Sequence, residues 1–152
     1  MKIILLLLIL SGSANAATFK DAQEVYNRLI KANGFSFAPR LTLDMNPHPN
    51  ASASITKITI TSGMLMFVRN SNELALILGH ELGHFTRIDL SSSPSYEFAA
   101  DKLGAVYADV AGYNHCTGVA VLKRFNDRAS KTHPDSDERY NRLKCAARAV
   151  IE

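Results

Sequence analysis

The sequence predicts one α+β domain, mainly helical with a small sheet. Short alternating apolar stretches occur early in the chain, and helical periodicity fills most of the remainder. At 152 residues, 47% hydrophobic and 20% charged, the chain can bury a real core and is too apolar for bulk disorder. It shows no internal repeat, low-complexity segment or domain boundary.

The first residues read as a leader. Lys2 is the only charge, Ile3 to Leu10 is unbroken aliphatic, and Ser11 to Ala16 is small and polar, ending Ala14, Asn15, Ala16. This predicts a Sec-type signal peptide over residues 1–16, cut after Ala16, with 17–152 as the mature domain and export to the periplasm or the medium. The alternative, a retained anchor, would need about 20 apolar residues. No Cys follows the cut, so a lipoprotein is unsupported, and no later stretch is long and apolar enough to span a bilayer once the leader is removed.

Along the mature chain, Phe19, Ala22, Val25, Tyr26, Leu29 and Ile30 recur at helical spacing from Thr18 to Ala32, and Gly34 stands where that helix would stop. Leu41, Leu43 and Met45 alternate with Thr42 and Asp44, predicting a strand before the turn residues Asn46 to Asn50. Ile55 to Ile60 reads as a second strand. Met64 to Val68 reads either as a third strand or as the approach to a helix. Asn70 followed by Glu73 resembles a capping box opening a helix through Leu74, Leu76, Ile77, Leu78, Leu82 and Phe85, apolar on most sides and so internal. Asp89 to Pro94 reads as a loop, and Pro94 suits the first turn of a helix over Ser95 to Val110 that Gly112 ends. Thr117 to Asp127 and Asp135 to Val150 read as two further helices.

The formal net charge is +3, with basic residues scattered along the chain, which excludes a nucleic-acid-binding tract. Cys116 and Cys145 are the only cysteines. In an oxidising compartment they would pair and staple the last helix to the body; the alternative is two buried thiols.

His80 and His84 stand one helical turn apart, so their imidazoles leave one face of the helix about 6 Å apart along its axis. Two such nitrogens can converge on one zinc ion. Glu81 is turned by about 100° from His80, beside such a metal, where a general base for water must stand. The bland reading is a buried helix with two satisfied histidines, or a metal clip without chemistry.

A catalytic zinc site needs a third protein ligand and an open position for water. The extended pattern HExxHxxGxxH fails here, because Arg87 and Leu90 stand where Gly and His are required. Glu97 is the alternative. It shares a helix face with Asp101, flanked by Ala100, Gly104 and Ala108, whose small size would let this helix approach the His helix, as would Gly79 and Gly83. Glu97 could ligate while Asp101 accepts a hydrogen bond from the far nitrogen of a ligating His. For an isolated pair of acids, a solvated helix face would be the simpler reading.

From Ile58 to Leu143 the sequence resembles the gluzincin metallopeptidases of the CAAX prenyl protease and heat-shock membrane protease type. The likeness is carried by Ile58 to Gly63, by Asn72, Glu73 and Leu74, by His80 to His84, by Glu97, Ala100 and Asp101, by Gly112 and Tyr113, and by His133, Pro134 and Arg139. It implies a zincin-like domain with the HExxH helix packed on the ExxAD helix, and one zinc per chain held by His80, His84 and Glu97. It further implies Asp101 as support, and His133 and Arg139 near the metal and the transition state. Read without it, His133 is a loop residue and Arg139 a surface charge. Tyr96, Tyr107 and Tyr113 are spare donor candidates, with core packing the simpler role. In such relatives a strand edges the cleft, here Ile55 to Ile60. Many relatives carry membrane helices or a long insertion between the two metal motifs; here the link from His84 to Glu97 is short, as in a pared-down secreted form. The expected activity is a zinc endopeptidase acting on exported, unfolded or flexible protein or peptide chains. The competing expectation is an inactive zinc-binding module serving as a holdase or accessory protein.

Overall fold

A computed structural model describes residues 16–87, 93–125, 128 and 134–145. Residues 1–15 of the predicted leader, most of the loop at 89–94, His133 and the chain after Cys145 lie outside these residues.

Helix α1, Phe19–Ala32, starts where Thr18 and Asp21 cap each other: the Asp21 amide donates to Thr18 Oγ1 and the Thr18 amide to Asp21 Oδ2. Its stripe Ala22, Val25, Tyr26 and Leu29 is buried, and Asn33 Nδ2 donates to the Leu29 and Tyr107 carbonyls, tying its end to the rest.

Strand β1, Arg40–Asp44, pairs in parallel with β3, Lys57–Thr61, which pairs antiparallel with β2, Ala51–Ala53. The sheet order is β1-β3-β2. Two expectations need correction. The strand predicted over Ile55 to Ile60 is shifted to Lys57–Thr61 and lies in the centre of the sheet, buried through Ile58, Ile60 and Thr61, so it borders no cleft. The edge strands are β1 and β2, and β2, the one on the cavity side, has three residues, too few to show alternation in sequence.

Of the two readings of Met64 to Val68, the approach to a helix holds and the strand does not. Thr61 ends β3 and caps helix α2, Ser62–Phe67, by accepting from the Met64 amide at 3.1 Å. The same hydroxyl accepts from the Asn50 amide at 2.9 Å and lies 2.8 Å from the His48 carbonyl oxygen, so one side chain fastens the 46–50 turn that leads into β2. Gly63 is needed here, because a Cβ would stand 2.1 Å from the Pro47 carbonyl oxygen.

Helix α3, Ser71–Arg87, is the central element, with Leu74 to Gly79 and Glu81 to Gly83 buried. The capping box at its start is half formed: Asn70 Oδ1 accepts from the Glu73 amide, but Glu73 turns back to the Arg69 amide and receives a bidentate Arg124 guanidinium at 2.9 and 2.6 Å. Arg124 also donates to the Phe67 carbonyl, so a buried ion pair joins the ends of α2, α3 and the later helices.

Helix α4, Pro94–Val110, has Ser93 as its cap and Pro94 in its first turn, and Gly112 at φ 79° follows its end. The helix predicted over Thr117 to Asp127 is broken into α5, His115–Gly118, a 3-10 turn Val119–Val121, and α6, Leu122–Phe125. The backbone stays helical through Gly118, Val119 and Leu122, and Gly118 lies on the Asn72 carbonyl, where a Cβ would stand 2.5 Å away, so the segment packs against the start of α3. Helix α7, Ser136–Leu143, is shorter than the helix predicted over Asp135 to Val150: Lys144 caps its end with extended backbone, and Cys145 follows outside it. The result is an α+β fold, mainly helical with a three-stranded sheet. No helix among the described residues is long and apolar enough to cross a membrane.

Candidate metal centre

The widest helix contact in the fold is between α3 and α4, and its closeness has a local cause. A Cβ at Gly79 would stand 2.7 Å from the Gly104 carbonyl oxygen, one at Gly83 2.9 Å from the Ala100 carbonyl oxygen, and one at Gly104 2.6 Å from the His80 amide nitrogen. The two backbones touch because these positions carry no side chain. That contact brings Glu97, in the first turn of α4, up to the histidines of α3.

His80 Nε2 and His84 Nε2 are 3.1 Å apart; Glu97 Oε2 is 3.4 Å from the first and Glu97 Oε1 3.3 Å from the second. Ligands about 2.05 Å from a tetrahedral zinc ion stand roughly 3.3 Å from one another. Each of these three separations, with Glu97 presenting one oxygen to each histidine, is close to the spacing of two ligands on one zinc ion. Imidazole and carboxylate are also the donor types of a catalytic rather than a structural zinc site.

Around these donors the groups hold one another. His80 Nδ1 is 2.8 Å from Asp101 Oδ1, and Arg139 on α7 donates from Nε to Asp101 Oδ2 at 2.8 Å and from Nη2 to Oδ1 at 2.5 Å. Asp101 accepts from His80 Nδ1–H, so the 3.3 Å approach of Arg139 Nη2 to that nitrogen is proximity rather than a hydrogen bond. Burial alone would lower the His80 pKa, but the hydrogen bonds to Asp101 and Glu97 outweigh it and raise it to about 9 in the metal-free protein. Burial would raise Asp101, yet Arg139 and His80 hold it at about 2. Glu97 is likewise lowered, its burial outweighed by hydrogen bonds with His80 and His84.

Glu81 is 7% exposed, and burial raises its pKa against the pull of the two histidines. A carboxylate moved up from its usual range is a better proton acceptor for water. With His80, His84, Glu97 and Arg139 it lines an open cavity of about 840 Å³. The opposite wall is β2 with the turn before it, and Phe67, Ile77, Leu122 and Phe125 add apolar surface. Pro134 also lines the cavity, and His133 lies outside the described residues.

The tyrosines expected as spare donors are elsewhere: Tyr107 packs on Phe35 and reaches Thr86 Oγ1, Tyr96 lies under Arg87, and Tyr113 under Arg28. The wall formed by His48 to Ala53 is not legible in sequence. Its only signal there is the Pro- and Asn-rich turn, which says where the chain bends but not what it bends over. Arg124 stands beside Lys123 in the otherwise apolar run Val119 to Phe125, and nothing in the sequence says which of the two charges has a buried partner.

A second group of metal-type side chains comprises His115, Cys116 and Cys145. Its sulfurs are joined in a disulfide, with Cα atoms 5.4 Å apart, which leaves it one imidazole and no thiolate.

A HExxH helix pressed against an acid-bearing helix, beneath an edge strand that walls the cleft, defines a metallopeptidase architecture. The chain matches the model of peptidase family M48 over residues 16–96, just over half its length, and belongs to that family. It is thereby a zinc-dependent metallopeptidase by family. The matched stretch contains His80, Glu81 and His84 and ends one residue before Glu97. No curated protein matches the chain.

Proposed function

We propose that residues 17–152 form a minimal, exported endopeptidase of the CAAX prenyl protease and heat-shock membrane protease type, cutting unfolded or flexible chains after removal of residues 1–16. The observation that carries the proposal is the donor set of His80, His84 and Glu97, whose separations of 3.1 to 3.4 Å suit one zinc ion. Zinc bound there would supply a Lewis acid for the scissile carbonyl and make water a nucleophile at neutral pH.

The remaining work belongs to the chain's own side chains. Glu81 accepts the proton of the attacking water and returns it to the leaving amine. Asp101 keeps the His80 hydrogen on Nδ1 and so turns the Nε2 lone pair toward Glu97 and His84. Arg139 acts through Asp101, fixing its carboxylate with two hydrogen bonds. His133 is assigned a donor role to the developing oxyanion on the resemblance alone.

Substrate is proposed to lie along β2. Ser54 and Asn50 make the inward hydrogen bonds to β3, through Ser54 N to the Lys57 carbonyl and Thr61 N to the Asn50 carbonyl. Alternation of the antiparallel ladder then turns the amides and carbonyls of Ala51 and Ala53 outward, into the cavity. An extended peptide can pair with them and cross the histidines; a folded one cannot.

The test compares wild type, Glu81→Gln and chelator-treated protein on folded and unfolded versions of one substrate. Activity in wild type alone, with the unfolded form preferred, is expected, and Glu81→Gln should keep its zinc while losing about 100-fold or more in kcat. Equal activity in wild type and Glu81→Gln would sink the mechanism. No cleavage by zinc-loaded wild type would favour the inactive zinc-binding module, and equal cutting of both substrate forms would remove the strand-addition mode.

A further inference from the structure

The disulfide has a position that the peptidase chemistry does not require. Cys145 follows α7 directly, and α7 carries Arg139, the residue that grips Asp101 behind His80. Among the described residues Ser136 is the only buried position of α7, and the helix is also tied by partly buried Tyr140 and Leu143, an Arg142 guanidinium 3.8 Å from the Phe98 ring centre, Lys123 over Tyr140, and an exposed Lys123–Asp137 pair. Few buried apolar contacts make a helix that opens locally. Cys116, by contrast, lies on α5, which is fixed to the start of α3 by the Asn114 amide donating to Asn72 Oδ1 at 2.9 Å and by the Gly118 contact.

Both cysteines are exposed residues, and beside them is an imidazole in a set orientation. His115 Nε2 is 3.4 Å from Cys145 Sγ and 3.8 Å from Cys116 Sγ, while its Nδ1 is 2.5 Å from Asp109 Oδ2. With the Nδ1 hydrogen directed at Asp109, Nε2 offers its lone pair to the sulfurs.

We infer that Cys116 and Cys145 form a redox latch on the metal centre: the bond is made by exchange with a disulfide oxidant, with His115 as proton acceptor, and it seats Arg139 on Asp101. In the forming direction, His115 Nε2 takes the Cys145 thiol proton, and the Cys145 thiolate attacks the oxidant's disulfide, releasing one of its sulfurs as a thiol. The Cys116 thiolate then attacks Cys145 Sγ, closing the protein bond and releasing the oxidant's second sulfur. The chain loses two electrons and two protons, and the oxidant gains both. A chain that has not met such an oxidant keeps α7 loose and its metal centre incomplete, so proteolysis waits for an oxidising compartment. This latch rests on the metal-centre reading above.

The experiment uses the full mature chain, zinc-loaded, either air-oxidised or kept reduced by a phosphine, with Cys116→Ser/Cys145→Ser as a second reduced form. Amide hydrogen exchange over residues 136–143 is read beside zinc affinity and cleavage of an unfolded substrate. Opening a loop of this length should raise exchange in α7 on the order of 100-fold, leave α3 protected, and weaken zinc binding and cleavage together. With oxidised glutathione as the probe oxidant, His115→Ala should form the bond at least about tenfold more slowly and, once oxidised, should regain the wild-type exchange pattern. Equal exchange over 136–143 in the two redox states would overturn the latch, and unchanged oxidation of His115→Ala would overturn the role given to His115. Redox-dependent exchange and zinc affinity in a chain that cuts nothing would uphold the latch while the peptidase proposal fails. Equal cleavage and equal exchange would do the reverse.

Discussion

The close approach of α3 and α4 can be tested by one methyl group. In Gly104→Ala the new Cβ would stand 2.6 Å from the His80 amide nitrogen and 2.9 Å from the Gly79 carbonyl carbon, both backbone atoms that no rotamer change can move aside. Ordinary contact begins at 3.4 Å, so the helices must part by about 0.8 Å at the level of His80. Gly104 is two turns along the helix from Glu97 and three residues from Asp101, and that displacement passes to both carboxylates. Metal–ligand distances tolerate about 0.2 Å. The expected result is a 10- to 100-fold loss of zinc affinity, the range seen when the groups that orient a metal's ligands are disturbed. The metal-free protein should also be destabilised by about 1–3 kcal/mol from overpacking, against a gain of about 1 kcal/mol from helix propensity. The assay is competition for zinc with a chromogenic chelator, with thermal melts of the metal-free and loaded protein. Lys102→Ala, on the exposed face of α4, gains in propensity without the clash and should bind zinc as the parent does. If Gly104→Ala binds zinc as tightly as the parent, the helix contact does not set the donor geometry.

Removing Arg124 as Arg124→Ala leaves Glu73 charged and buried, and should cost about 3–5 kcal/mol in denaturant melts, far more than loss of an exposed pair such as Lys20–Glu24; a loss under about 1 kcal/mol would show that the pair is not an anchor. In the metal-free protein His80 titrates near 9 rather than 6.5, so the stability it contributes is complete below pH 6.5 and lost as pH rises through 9. Zinc affinity runs the other way, rising about tenfold per pH unit across that window because a proton must leave for the metal to bind; a flat profile in chelator competition would contradict the Asp101–His80–Glu97 arrangement. Ala53→Pro removes an amide directed at the cavity without touching the β2–β3 ladder, and should lower kcat/KM for unfolded substrates about tenfold with little change in melting temperature. Unchanged kinetics in that variant would mean that substrate does not pair with β2.

The range of the interactions involved sets how much of this is legible in sequence. His80, Glu81 and His84 are one helical turn apart, and the pitch of a helix is local, so their common direction can be read before any fold is known. The same holds for α1, where Thr18, Asp21 and the stripe from Ala22 to Leu29 are neighbours along one element. Glu97 is found by a weaker signal, small residues on its helix face, and Gly79, Gly83 and Gly104 prove to be where the two backbones meet. The central strand is displaced from its predicted span because Ile55 and Thr56 form the bend that joins β2 to β3, closed by the Ser54 amide donating to the Lys57 carbonyl. Met64 to Val68 is ambiguous in sequence because its helical state depends on a cap, Thr61, that is also fastened to a turn far from it along the chain. The close approach of Gly118 to Asn72 is a contact that no periodicity contains.

By itself, then, the sequence determined the chemistry that can be specified within a turn or two of helix: two imidazoles and a carboxylate in reach of one ion, an acid pair on a small-residue face, two cysteines able to bond. Tertiary structure decided what depends on atoms distant along the chain. It set the 3.1 to 3.4 Å separations within the donor set, moved Arg139 from a surface charge to the far side of Asp101, and made β2 rather than β3 the wall of the cleft. The physical reason is that periodicity and caps act over one element, whereas the spacing of donors from different helices is fixed by how closely their backbones pack.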